Sequence, residues 1–351
     1  MRLSIIVTTP LDMERVAASY ISELIKCEKV EAKPMGFKGL VLIWNAEDKR
    51  AAAKIIEESI PEVERVIVVE EEVEAKLDAI VKAAQELAKG RIGQDETFAV
   101  RTNRRGKHEF TSIDVNVAVG DAVRRATGAS VNLSFPDKIV QVEIIGKLAA
   151  ISILPGSVEL KKMKPGKHPV YKLFHKVSLV QMPYLGPLDA CRTMGVRIGR
   201  EVQTFEVSEL IIAFTGSVDA LQLKVFLDGL LEGINSRYEI QRKTYGRRVH
   251  RVPVKVADLY QLVRERSNEH IIVFEPEGEP ISKLTEQLEN IFLKSRKRVN
   301  LLVGSRVGIP RGIYRFADLV VDIAPGITIS TDYAAASGLI AIATLLHERI
   351  E

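Results

Sequence analysis

Val299-Asn300-Leu301-Leu302-Val303 runs into Gly304-Ser305-Arg306-Val307-Gly308-Ile309-Pro310-Arg311-Gly312, an apolar strand ending in a glycine-rich turn. The pattern recurs on either side. An apolar run at 270–275 leads into Pro276-Glu277-Gly278-Glu279-Pro280-Ile281-Ser282, and one at 319–323 leads into Ala324-Pro325-Gly326-Ile327-Thr328-Ile329-Ser330-Thr331-Asp332. Further strands are predicted at 176–182 and 209–214, with helices at 187–205, 217–234, 254–266, 281–295 and 332–349. Residues 170–351 therefore read as an α/β domain with a mostly parallel sheet covered on both faces. A ligand of such a sheet belongs outside the carboxyl ends of its strands, where the three loops fall.

Upstream, residues 1–70 predict the order βαββαβ, a small ferredoxin-like unit whose first helix follows Thr9-Pro10-Leu11-Asp12. The apolar spacing of Val73, Leu77, Ile80, Val81, Ala84 and Leu87 predicts a helix over 70–89, its acidic start suited to a helix dipole. A second α/β unit follows to about 156, then a basic linker over 157–169 containing Lys161, Lys162, Lys164 and Lys167.

Composition excludes several classes. The chain has 351 residues, 46% hydrophobic and 27% charged, so it can bury more than one core and is not disordered. Cys27 and Cys191 support neither a disulfide framework nor a four-ligand zinc site, and no metal is expected. No apolar run reaches the roughly 20 residues of a bilayer span, and the first residues read as a strand, so a cytoplasmic protein without membrane contact is expected. The net charge of +4 is uneven: residues 1–90 carry 13 Lys/Arg against 17 Asp/Glu, the remainder 37 against 29. That bias suits a polyanionic partner.

Phe98-Ala99-Val100-Arg101, Gly106-Lys107-His108-Glu109-Phe110-Thr111-Ser112, Val131-Asn132-Leu133, Phe135-Pro136-Asp137 and Val140-Gln141-Val142-Glu143-Ile144 together resemble a THUMP domain. The resemblance covers the unit at about 94–154, within a domain bounded at 71–156, and implies an RNA-binding module. With the ferredoxin-like unit before it, it implies a grip on the 3′ acceptor end of tRNA. Arg101, Arg104, Arg105 and Lys107 would supply phosphate contacts, which position RNA without reading its sequence. Phe110 reads equally as a stacking platform or as core.

The three glycine-rich loops, followed by Ala335-Ala336-Ser337-Gly338-Leu339-Ile340-Ala341, resemble the SPOUT RNA methyltransferases. That resemblance implies a C-terminal trefoil knot, a homodimer, and S-adenosyl-L-methionine held bent among the loops. Ile309, Ile323 and Ile327 would wall the adenine, backbone around Gly304, Gly308, Gly326 and Thr328 would meet its edges, and Glu275, Ser305 and Pro325 belong to the same set. Arg306 would stabilise developing charge or hold a phosphate. Asp332 reads as a base or as the N-cap of the last helix. Arg242, Lys243, Arg247 and Arg248, interleaved with Tyr238 and Tyr245, have the composition of a single-strand-contacting loop over 237–251, the alternative being a solvated insertion. The expectation is a tRNA methyltransferase; the alternative is a non-catalytic THUMP protein that keeps a SPOUT-like domain.

Overall fold

The computed structural model describes residues 1–350, which divide into two compact units at Lys162/Met163. In the first unit, β1 (Leu3–Thr8), α1 (Glu14–Leu24), β2 (Lys29–Ala32), β3 (Leu40–Trp44), α2 (Lys49–Ser59) and β4 (Arg65–Val68) form an antiparallel sheet of order β2-β3-β1-β4. This is the expected βαββαβ unit. Its first helix starts later than the Pro10 signal predicts: Asp12 takes a left-handed φ of 70°, and the buried Glu14 carboxylate accepts the Gly39 N–H at 2.5 Å.

The second sheet follows without a linker. β5 (Glu71–Glu74), α3 (Leu77–Ala88), β6 (Thr97–Arg105), α4 (Ser112–Thr127), β7 (Ser130–Val131), β8 (Lys138–Ile145) and β9 (Leu148–Pro155) give the order β5-β9-β8-β6-β7. The acidic run is thus a strand and not the start of a helix. Edge pairing with β9 overrides the helical preference of glutamate, and the carboxylates meet donors instead: Glu70 accepts the Ile153 N–H at 3.0 Å and Glu72 the Leu3 N–H at 2.8 Å. Leu3, Ile6, Leu42 and Ile67 pack with Ile145 and Ala150, so one apolar seam joins both sheets.

In the second unit, α5 (Tyr171–Phe174), β10 (Val177–Gln181), α6 (Leu188–Phe205), β11 (Glu209–Phe214), α7 (Ala220–Thr244), β12 (Val254–Asp258), α8 (Leu259–Glu265), β13 (His270–Pro280), α9 (Thr285–Glu289), β14 (Val299–Val303), α10 (Arg311–Tyr314), β15 (Leu319–Asp322) and α11 (Thr331–Leu346) build a wholly parallel sheet, β12-β11-β10-β14-β13-β15. β14 enters between β10 and β13, the switch in strand order at which such sheets bind ligands. The helix predicted at 254–266 is an edge strand followed by two turns of helix. α7 runs ten residues beyond its predicted end and absorbs half of the supposed basic loop.

α6 and α7 touch backbone to backbone. A Cβ on Gly195 would stand 2.3 Å from the Phe226 carbonyl oxygen, on Gly199 2.1 Å from that of Leu230, and on Gly233 2.2 Å from that of Val196. Only hydrogen fits there.

Candidate functional site

β13 pairs with β15 twice, through Ile272–Phe274 and again through Glu279 and Pro280, with a register shift between. Residues 275–278 are expelled from the ladder as a bulge. Gly278 is needed at its base, since a Cβ there would lie 2.5 Å from Val320 backbone. The bulge carries Glu275 beside the turn after β14. Glu275 Oε1 accepts the Ile309 N–H at 2.5 Å, and a Cβ on Gly304 or Gly308 would come within 2.9 Å of the same oxygen. The two glycines therefore make room for a carboxylate. Gln181, fully buried at the end of β10, donates to the Gly304 carbonyl at 2.9 Å and fixes the start of the turn.

Between this turn, the bulge and the loop after β15 opens a cleft of about 720 Å³ including its mouth. Phe274, Val303, Val321, Ile323, Ile327 and Ile329 make it largely apolar, and Glu275 and Asp322 make it anionic. Burial, and then the neighbouring Glu277, push the Glu275 carboxyl above its usual range, against the Ile309 N–H that lowers it. The Ser305 hydroxyl, also in the lining, is buried without a hydrogen-bond partner.

Of the residues expected at the cofactor, Glu275, Gly304, Ser305, Gly308, Ile323, Ile327 and Thr328 line this cleft. Ile309 does not: its side chain is 3% exposed and packs with Val180, Leu302 and Ile313 in a core cluster, contributing only its N–H. Pro325 and Gly326 shape the loop without lining the cleft, Gly326 taking φ of 81°. Sequence reasoning did not assign to the site Phe274, the last residue of β13 paired before the bulge, Val303, the last of β14, Val321, next to last of β15, or Ala334. Gln181 was signalled only as the one amide closing the apolar strand Val177–Gln181.

The two candidates for chemistry lie apart. Arg306 lines a neighbouring hollow with Met182, Leu185, Thr215 and Val307, its guanidinium 5.8 Å from the Tyr184 ring centre, and Ser305 is common to both cavities. Asp332 lines neither. It sits at the second position of α11 behind the N-cap Ser330, 4% exposed, accepting Ser330 Oγ at 2.7 Å and Arg197 at 3.1 Å. Burial raises its carboxyl, but these two donors outweigh it and hold it below the ordinary value. Glu201, on α6, is pushed up to about 7 by burial and by the charge of Asp332, partly offset by Arg197.

In the first unit, alternation along β6 sets Arg101, Asn103 and Arg105 on one face. Arg101 pairs with Glu159 at 2.5 Å and donates to the Leu133 carbonyl, and Arg105 pairs with buried Glu143 at 2.7 Å. Arg104 Nη1 lies 3.4 Å from His108, and Lys107 is exposed. Phe110 packs against the core of its sheet.

A family model described as AF2226-like SPOUT RNA methylase fused to THUMP matches residues 171–351, and the THUMP model matches residues 74–154. The chain belongs to this family. The SPOUT methylase of the second unit and the THUMP module of the first are the pair that the sequence resemblances implied. The uncharacterized protein MJ0421 of Methanocaldococcus jannaschii is 42% identical over 342 residues, covering 97% of this chain and 93% of that protein. A tRNA sulfurtransferase of Thermoplasma acidophilum is 38% identical over 94 residues, 26% of this chain and 19% of that protein. Among solved structures, PH1313 of Pyrococcus horikoshii covers 90% of this chain and 97% of its own, at 16% identity and a TM-score of 0.38. Among the described residues, no helix is long and apolar enough to cross a membrane, and no group of three or more His, Cys, Asp or Glu is placed to hold a metal.

Proposed function

We propose that this SPOUT methylase transfers a methyl group from S-adenosyl-L-methionine to tRNA in the cytoplasm, as a homodimer whose C-terminal segment is knotted, with the first unit holding the acceptor end. The observation that carries the reading is the cleft at the carboxyl ends of β13, β14 and β15. Its residues fit that cofactor. Phe274, Val303, Ile323 and Ile327 offer flat apolar contact to an adenine. Glu275 and Asp322 suit a cationic sulfonium and ribose hydroxyls, and the partnerless Ser305 hydroxyl lacks only a ligand to bond.

The cofactor supplies an electrophilic methyl. The chain's own task is then to orient the acceptor and exclude water. The hollow that shares Ser305 with the cleft is the place for the acceptor nucleotide, where exposed Arg306 holds a phosphate or a developing negative charge. Asp332, ion-paired and buried, positions α11 beside the cleft residues Thr331 and Ala334. The likeness to a tRNA sulfurtransferase over 94 residues supports tRNA as the substrate class.

Calorimetry with S-adenosylmethionine, and methyl transfer from the labelled cofactor to a total tRNA pool, test the reading. Saturable binding with incorporation into tRNA is expected. Binding without transfer to any RNA would leave a non-catalytic THUMP protein, and no binding would remove the cofactor assignment. Arg306→Ala should slow single-turnover transfer tenfold or more, or raise the KM for tRNA, with cofactor affinity near parental.

A further inference from the structure

The sheet has a second cavity, at the end away from the cofactor cleft. His175 precedes β10, Glu206 and Ser208 precede β11, and residues 247–251 precede β12, so the parallel strands gather all of them at their amino ends. α7 returns from the carboxyl end and delivers Tyr238 and Arg242 to the same place. Together they line an open cavity of about 1370 Å³ including its mouth. Five strand residues, roughly 17 Å, separate this end of β14 from the Gly304 turn.

Four arginines line the cavity, Arg242, Arg247, Arg248 and Arg251, against one acid. That acid, Glu206, is already committed. Fully buried, it accepts both Arg247 nitrogens, at 2.9 and 2.5 Å, and the His250 N–H at 2.9 Å. The Arg247 guanidinium also lies 3.8 Å from the Tyr171 ring centre. Arg247 is a fixed wall with its charge cancelled. The other three are not cancelled from inside the cavity. Arg248 makes no side-chain hydrogen bond or ion pair among the described residues, Arg251 bonds only the Asn235 amide oxygen, and Arg242 pairs with solvent-exposed Glu239 outside the lining. Exposed pairs of that last kind hold a charge weakly.

We infer that this cavity binds the phosphates of a single RNA strand, as an anchor separate from the methyl-transfer site. A concave cationic wall concentrates polyanions. The space greatly exceeds one phosphate, and three arginines whose charge no acid inside it cancels suit successive phosphates, with Tyr238 as a face on which a base stacks. The choice of RNA rests on the methylase reading above; the cationic cavity itself does not.

The test compares Arg242→Gln/Arg248→Gln/Arg251→Gln with a charge-matched control, Arg264→Gln/Lys283→Gln/Lys297→Gln, whose residues are exposed elsewhere on the same unit. Affinity of the full-length protein for tRNA is measured from 50 to 300 mM salt, alongside binding of inorganic pyrophosphate and of ATP. The cavity variant is expected to lose about 10²-fold in tRNA affinity at 100 mM salt and to flatten the salt slope by about 2, while the control loses far less. Equal slopes in the two variants would overturn the inference, and so would loss of pyrophosphate or ATP binding with tRNA binding unchanged. Methyl transfer by the parent is read separately. Transfer with an unaffected cavity variant defeats this inference alone, and arginine-dependent tRNA binding without transfer defeats the methylase reading alone.

Discussion

Glu275 and Ile309 are joined by a 2.5 Å hydrogen bond from the Ile309 N–H to the Glu275 carboxylate, linking the bulge of β13 to the turn after β14. Ile309 is anchored in the core at the far end of that turn, so the bond holds two walls of the cleft at fixed separation. Gly308→Ala would place its Cβ 2.9 Å from the same carboxylate oxygen and push the walls apart. Calorimetry should then show S-adenosylmethionine affinity reduced tenfold or more. Adding Glu275→Ala to Gly308→Ala removes the clash, so the two losses should be less than additive. Full additivity would mean that glycine and carboxylate act independently.

Glu201 gives the second unit a pH signature. Its carboxyl is raised to about 7 in the folded state against an ordinary value of 4.5, so the folded protein keeps a proton that the unfolded chain releases. Stability contributed there falls as pH rises from about 4.5 through 7. Glu201→Gln should abolish that decline and raise Tm at pH 8 by roughly 2–4 °C, a gain of about 1 kcal/mol, with little change at pH 5. Parallel Tm curves from pH 5 to 8 would refute the assignment.

Glu209 has the opposite sign. Burial raises its carboxyl, but Lys255, Arg266 and Ser178 outweigh burial and lower it to about 2. The stability it contributes is present above about pH 4.5 and is lost as pH falls toward 2. Arg266 donates to Glu209 at 2.9 Å, to Ser178 at 2.8 Å and to Asn300 at 2.7 Å, tying three strands at their amino ends. Arg266→Met should cost about 3 kcal/mol by denaturant titration at pH 7, because it strands a buried carboxylate. A loss below about 1 kcal/mol would show that Lys255 and Arg298 suffice.

Arg101 and Lys107 separate structure from grip in the THUMP sheet. Arg101 is spent on Glu159 and on the Leu133 carbonyl, whereas Lys107 is exposed. Arg101→Gln should lower stability by about 1–2 kcal/mol and barely alter the salt dependence of tRNA binding. Lys107→Gln should leave Tm unchanged and reduce the salt slope by about 1. The reverse pattern would return Arg101 to the RNA surface.

The alternation of strand and helix, and the three loops at the strand ends, were legible because glycine and proline punctuate strands that are apolar throughout. What each loop does with its glycines was not. Gly304 and Gly308 answer to a glutamate that precedes them by 29 and 33 residues, and no local pattern marks that partner. Charge misled in the same way. Arg101 and Arg105 read as free cations because their acids, Glu159 and Glu143, arrive from other elements. The basic stretch at 237–251 was visible by composition, yet its place at the amino ends of the strands follows only from α7 running on to Thr244.

The backbone contact between α6 and α7 bears on how this sequence can drift. Each of Gly195, Gly199 and Gly233 is tied to its neighbour helix by the absence of a single methyl group. Gly199→Ala should cost several kcal/mol in stability, while Gly246→Ala, with open space around it, should cost almost nothing. A descendant that acquired alanine at one of the three could not compensate by repacking side chains, because the obstacle is a carbonyl oxygen. It would have to respace the whole helix pair, and with it the route by which α7 brings Tyr238 and Arg242 to the far end of the sheet.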